Sequence, residues 1–76
     1  MTLLKINAEQ FKIAKTAVYE VLDKEWINGD DAYDIIFFFE YLMNGDVDQA
    51  NKALGWMETL PREEAFEIYN KVALVA

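Results

Sequence analysis

The sequence predicts an all-α fold: a compact bundle of four short helices over about residues 7–27, 31–44, 46–59 and 61–75. Apolar residues recur at helical spacing through these stretches. Helix-capping residues stand at the heads of the first three, Asn-Gly steps divide the first from the second and the second from the third, and Leu60-Pro61 restarts the chain for the fourth. The third observation is one nearly unbroken apolar run, Ile35-Ile36-Phe37-Phe38-Phe39-Glu40-Tyr41-Leu42-Met43. It lies between two near-identical stops, Asn28-Gly29-Asp30 and Asn44-Gly45-Asp46.

The first helix opens on Asn7 followed by Gln10, a capping-box pattern, with Ile6 and Phe11 placed as a hydrophobic staple. Projection at 100° per residue gathers Phe11, Ala14, Ala17, Val18, Val21 and Leu22 on one face and Lys12, Thr16, Glu20 and Asp23 on the other. Asn28-Gly29 is expected to stop this helix, and Asp30 or Asp31 to cap the next. The second helix closes at Gly45. Asp46 with Gln49 heads the third, whose expected core face is Val47, Ala50, Ala53, Leu54, Met57 and Leu60. Pro61 suits the first turn of the fourth helix, with Glu63 and Glu64 near its positive end. That helix turns Ala65, Phe66, Ile68, Tyr69, Val72 and Ala73 inward. Ile35 to Phe39 has high strand propensity and is the main competing assignment. The caps at either end and the helical spacing of the flanking acids favour helix. Residues 1–76 are expected to form a single domain, with residues 1–6 as an extended arm.

Composition narrows the function classes. The chain lacks Cys, His and Ser, which removes disulfides, thiolate metal sites and the commonest catalytic bases and nucleophiles. The acid pairs Asp30/Asp31 and Glu63/Glu64 stand at predicted helix starts, where capping accounts for them. The expectation is a protein that is not an enzyme, with no catalytic residue, no metal site and no cofactor. Asp46 to Asn51 begins like a calcium loop, yet the required Gly at the sixth position is missing and Met57 stands where a Glu should close it. An acyl carrier protein needs a Ser for its prosthetic arm, so that family is excluded. The longest apolar run is too short to span a bilayer. These features lead us to expect a cytoplasmic protein, with neither membrane nor nucleic acid as a direct partner.

Net charge is −7, and it is unevenly placed. Residues 1–24 carry four bases against three acids, whereas residues 25–76 carry three bases against eleven acids. Such a chain repels nucleic acid and attracts basic surfaces.

The projection of the second helix supplies the candidate site. Ala32, Ile35, Ile36, Phe39, Leu42 and Met43 make an ordinary core face. Tyr33, Phe37 and Tyr41 form a second stripe, with Phe38 beside it and Asp31, Asp34 and Glu40 along its border. Two readings stand. Either the ends of the first and fourth helices cover the stripe, giving Trp26 and Tyr69 their neighbours, or it is an interface core framed by charge. Trp26 and Trp56 either seal bundle edges or supply an interface anchor.

The functional expectation is a small acidic binding protein that docks on a basic protein surface. Tyr33, Phe37, Phe38 and Tyr41 would anchor it, and Asp30, Asp31, Asp34, Glu40, Glu63, Glu64 and Glu67 would steer it. In size, charge and lack of catalytic residues the chain resembles small acidic phage proteins that imitate DNA, although no motif carries the resemblance. It implies an inhibitor whose carboxylates stand in for phosphates on a nucleic-acid-binding partner. The alternative is a structural or assembly homodimer with a self-complementary aromatic helix face.

Overall fold

The computed structural model describes residues 3–73, and these form four helices: α1 (Ala8–Asp23), α2 (Gly29–Met43), α3 (Val47–Trp56) and α4 (Thr59–Ala73). The all-α bundle expected from the sequence is the architecture observed. Helix α2 is its centre and touches each of the other three, while α1 also meets α4. The molecule measures 29 × 23 × 17 Å.

The caps explain where the helices start. Asn7 Oδ1 accepts from the Gln10 N–H at 2.8 Å, and Gln10 Oε1 accepts from the Asn7 N–H at 2.8 Å, closing the predicted capping box. Asp46 caps α3 by accepting the Gln49 N–H. At α2 the expectation needs correction. Asn28 is the cap, accepting the Asp31 N–H at 2.8 Å, while Asp30 and Asp31 lie inside the first turn. There their negative charge faces the positive end of the helix.

The stops explain why α1 is shorter than predicted. It ends at Asp23, four residues before Ile27. Glu25 takes a left-handed backbone with φ 61°, its N–H donates to the Leu22 carbonyl, and the Trp26 N–H donates back to the Val21 carbonyl. This pair of bonds is the Schellman closure that usually requires glycine. The end of α2 repeats it with the usual residue: Gly45 at φ 80° donates to Leu42, and Asp46 donates to Tyr41. The same device is therefore visible in the sequence at Gly45 and hidden at Glu25.

The core lies on α2. Ile35, Phe38, Phe39 and Leu42 are fully enclosed, with the Phe38 and Phe39 rings meeting edge to face at 4.9 Å between centroids. Ala14, Val18 and Val21 of α1 close against them, as do Ala50, Ala53 and Leu54 of α3 and Ala65, Ile68, Tyr69 and Val72 of α4. Leu60, expected in the core, is exposed because it sits in the first turn of α4.

The described part of the arm, residues 3–7, runs across the end of the bundle; Met1 and Thr2 lie outside the described residues. Leu3 and Ile6 are buried. The Leu4 N–H donates to the Tyr69 hydroxyl at 3.0 Å, and the Ile6 N–H donates to the Leu42 carbonyl at 3.2 Å. Arg62 fastens another end. Its Nε donates to the Leu54 carbonyl, which also accepts from the Met57 N–H, and its terminal nitrogen donates to the Met57 carbonyl just past the end of α3.

Candidate functional site

The observed core face of α2 is rotated by roughly 40° from the projected one, towards Phe38 and away from Ile36 and Met43. Helix α3 packs on that side and takes Phe38 inside. Phe38 has no exposed surface, so its assignment to the partner-binding stripe is corrected: it is a core residue. The rest of the stripe remains at the surface. Tyr33 is 64% exposed and Phe37 51%, while Tyr41 is half-buried at the edge of the core. The ends of α1 and α4 do not cover these rings. Tyr69 is buried within the core instead, and Trp26 stands in solvent with the Lys24 Nζ 4.7 Å from its ring centroid.

Two concavities border the exposed rings. Between α2 and α3, Asp34, Phe37, Tyr41, Ala53 and Trp56 line a notch of about 80 Å³. Between α1 and α2, Tyr19, Leu22, Gly29, Ala32, Tyr33 and Ile36 line a groove of about 180 Å³. Tyr33 and Phe37 are successive turns of one helix, so they join the two. The result is an aromatic row that crosses three helices: Tyr19 on α1, Tyr33, Phe37 and Tyr41 on α2, and Trp56 on α3. Trp56 is the most exposed large apolar side chain among the described residues, at 74%. Sequence reasoning left it as either an edge seal or an anchor. Its place beside Phe37 and Tyr41 is a long-range feature, because only the packing of α3 brings it there.

The carboxylates divide into two groups. Asp30, Asp34 and Glu40 are exposed on α2, on the same side as Tyr33 and Phe37, with Asp31 half-buried beside them. Glu63, Glu64 and Glu67 belong to α4, with Glu63 and Glu67 exposed and Glu64 half-buried. Burial raises the Glu64 pKa above its ordinary value, and repulsion from Glu67 and Glu63 adds to this, while Lys71 and Lys24 act in the opposite sense. The charges acting on Glu64 thus come from α4 itself and from the end of α1. With α4 starting at Thr59, Glu63 and Glu64 also fall beyond its first turn rather than at its positive end.

A wider depression of about 370 Å³ follows the outer side of α1 past Glu9, Lys12, Ile13, Thr16, Ala17 and Glu20. It is built from one helix and has no aromatic wall, so it offers a ligand far less enclosure than the notch. Among the described residues no group of three or more carboxylates is gathered so that it could hold a metal ion, and no helix is long and apolar enough to cross a membrane. No family model, curated protein or solved structure matches the chain.

Proposed function

We propose that this chain is a non-enzymatic binding protein of the cytoplasm that docks its aromatic row onto a basic protein surface. The observation that carries the reading is the row itself: Tyr19, Tyr33, Phe37 and Trp56 stand in water on adjacent helices, with Asp30, Asp34 and Glu40 beside them. Aromatic anchors surrounded by charge have the composition of an interface core and rim. The −7 net charge steers such a face towards positive partners and away from nucleic acid itself. The α4 carboxylates Glu63 and Glu67 add to the general field. Where the partner is a nucleic-acid-binding protein, the acids would occupy its phosphate-binding positions and make this chain an inhibitor.

The test is a fluorescence titration with an amphipathic peptide of lysine and leucine, about 18 residues and so about 27 Å long as a helix, against a glutamate/leucine control. The reading expects saturable binding of the lysine peptide only. It expects that binding to weaken sharply at about 1 M salt, where screening shortens to about 3 Å. Phe37→Ser with Trp56→Ser should abolish it. Equal binding of both peptides, or binding that ignores the double substitution, overturns the reading. Light scattering over a dilution series addresses the assembly reading: a dimer that persists at micromolar concentration and buries this face would replace the partner with a second copy.

A further inference from the structure

We propose that the notch between α2 and α3 receives a single arginine side chain of the basic partner. Its guanidinium would stack between Phe37, Tyr41 and Trp56 and bond the Asp34 carboxylate. This deepens the docking reading and rests on it. The notch has three aromatic walls, the small Ala53 in its lining and one acid. Its volume of about 80 Å³ is well below that of a pocket for a whole small-molecule ligand and is on the scale of a side-chain head. Aromatic faces attract cations through their quadrupole, and a planar guanidinium can stack on rings while forking a carboxylate. An ammonium cannot make the stacked, forked contact, which is why arginine rather than lysine is the assigned occupant.

The chain's own charges support the assignment. Two other aromatic rings already carry intramolecular cations: Lys24 over Trp26 at 4.7 Å and Lys15 over Phe11 at 5.3 Å. Trp56 carries none among the described residues, although exposed Lys52 stands one turn before it on α3. The Asp34 carboxylate makes no hydrogen bond or ion pair among the described residues. An aromatic cage and an unengaged carboxylate therefore meet at one concave point on a chain of net charge −7.

The experiment follows the Trp56 indole N–H by NMR, with Nα-acetyl-arginine methylamide as probe and the citrulline and lysine analogues as controls. Citrulline keeps the shape of arginine and removes the charge. The proposal expects a saturable Trp56 shift with arginine, and at least threefold weaker apparent affinity with lysine or citrulline. Asp34→Asn should weaken the arginine response about fivefold, whereas Lys52→Gln should leave it unchanged or strengthen it. Equal responses to arginine and citrulline, no response, or a response centred on Trp26 overturns the proposal. A lysine response equal to that of arginine overturns the guanidinium assignment. The probe comparison uses the unaltered chain, so a misfolded variant does not decide the outcome. The lysine/leucine peptide contains no arginine, which separates the two readings. If the chain binds that peptide through Tyr33 and Phe37 but ignores arginine, the notch assignment falls alone. If it binds neither, the docking reading falls as well.

Discussion

Phe37 and Phe38 are adjacent in sequence and opposite in role, and replacing each with alanine separates surface from core. Phe38 is fully enclosed, so Phe38→Ala removes a buried ring and leaves a cavity, at a cost of about 3–5 kcal/mol. Phe37 is half exposed, and fully burying such a ring is worth about 2 kcal/mol, so the surface lost in Phe37→Ala is worth about 1 kcal/mol. The better helix propensity of alanine returns a few tenths. At about 0.05–0.15 kcal/mol per residue, a chain of this length has about 4–11 kcal/mol to lose. Phe38→Ala therefore removes about a quarter of the stability or more, and Phe37→Ala a minor part. In a domain of this size each kcal/mol moves Tm by about 4–8 °C. The expected drops are under about 8 °C for Phe37→Ala and about 12–40 °C for Phe38→Ala. Urea unfolding followed by far-ultraviolet circular dichroism measures both, with an unchanged slope as the check on two-state behaviour. Equal losses at the two positions would mean that Phe37 is core, and the docking face would lose its central anchor.

Other perturbations probe the scaffold and its charges. Glu25→Gly should stabilise the fold by about 1 kcal/mol in thermal unfolding, because the left-handed backbone at φ 61° penalises a residue with a Cβ. Asn7→Ala should cost about 1 kcal/mol by opening the capping box, read as faster amide exchange at Gln10. Arg62→Ala should cost about 1–3 kcal/mol, since it removes the side-chain donor of the Met57 carbonyl and one of the two donors of the Leu54 carbonyl; unfolding midpoints in urea check this. For Glu64 the sign follows from its raised pKa: the folded state prefers the protonated acid, so ionisation weakens the fold as pH rises through that pKa. Glu64→Gln should then raise Tm at about pH 7 and leave it nearly unchanged below about pH 4, where the acid is protonated in both states.

Much of the fold is local in origin and was legible as such. Asn7, Asp46 and Gly45 act where their chemistry places them, and the buried residues of α1 are those the projection selects. The strand propensity of Ile35 to Phe39 yields to packing, because α2 meets three other helices and Ile35, Phe38 and Phe39 are enclosed among them. The misreadings share a cause in non-local geometry. Glu25 adopts a glycine conformation without being glycine, so the end of α1 carries no sequence signal. Phe38 and Tyr41 are neighbours one turn apart on the same border of the stripe, and only the seat of α3 decides that the first is enclosed and the second stays at the edge. Half of the candidate site was readable from the spacing of Tyr33, Phe37 and Asp34. The remainder, Tyr19 and Trp56, comes from helices distant in sequence, and a single-helix projection has no access to it.

The most direct test of the docking face is a residue-resolved NMR titration with the lysine/leucine peptide at low salt and at about 1 M salt. The account predicts shifts confined to Tyr19, Tyr33, Phe37, Tyr41, Trp56 and the amides around Asp34, with most of the effect lost at high salt. Shifts centred on the outer face of α1 or on α4, or a pattern that salt leaves unchanged, would contradict it.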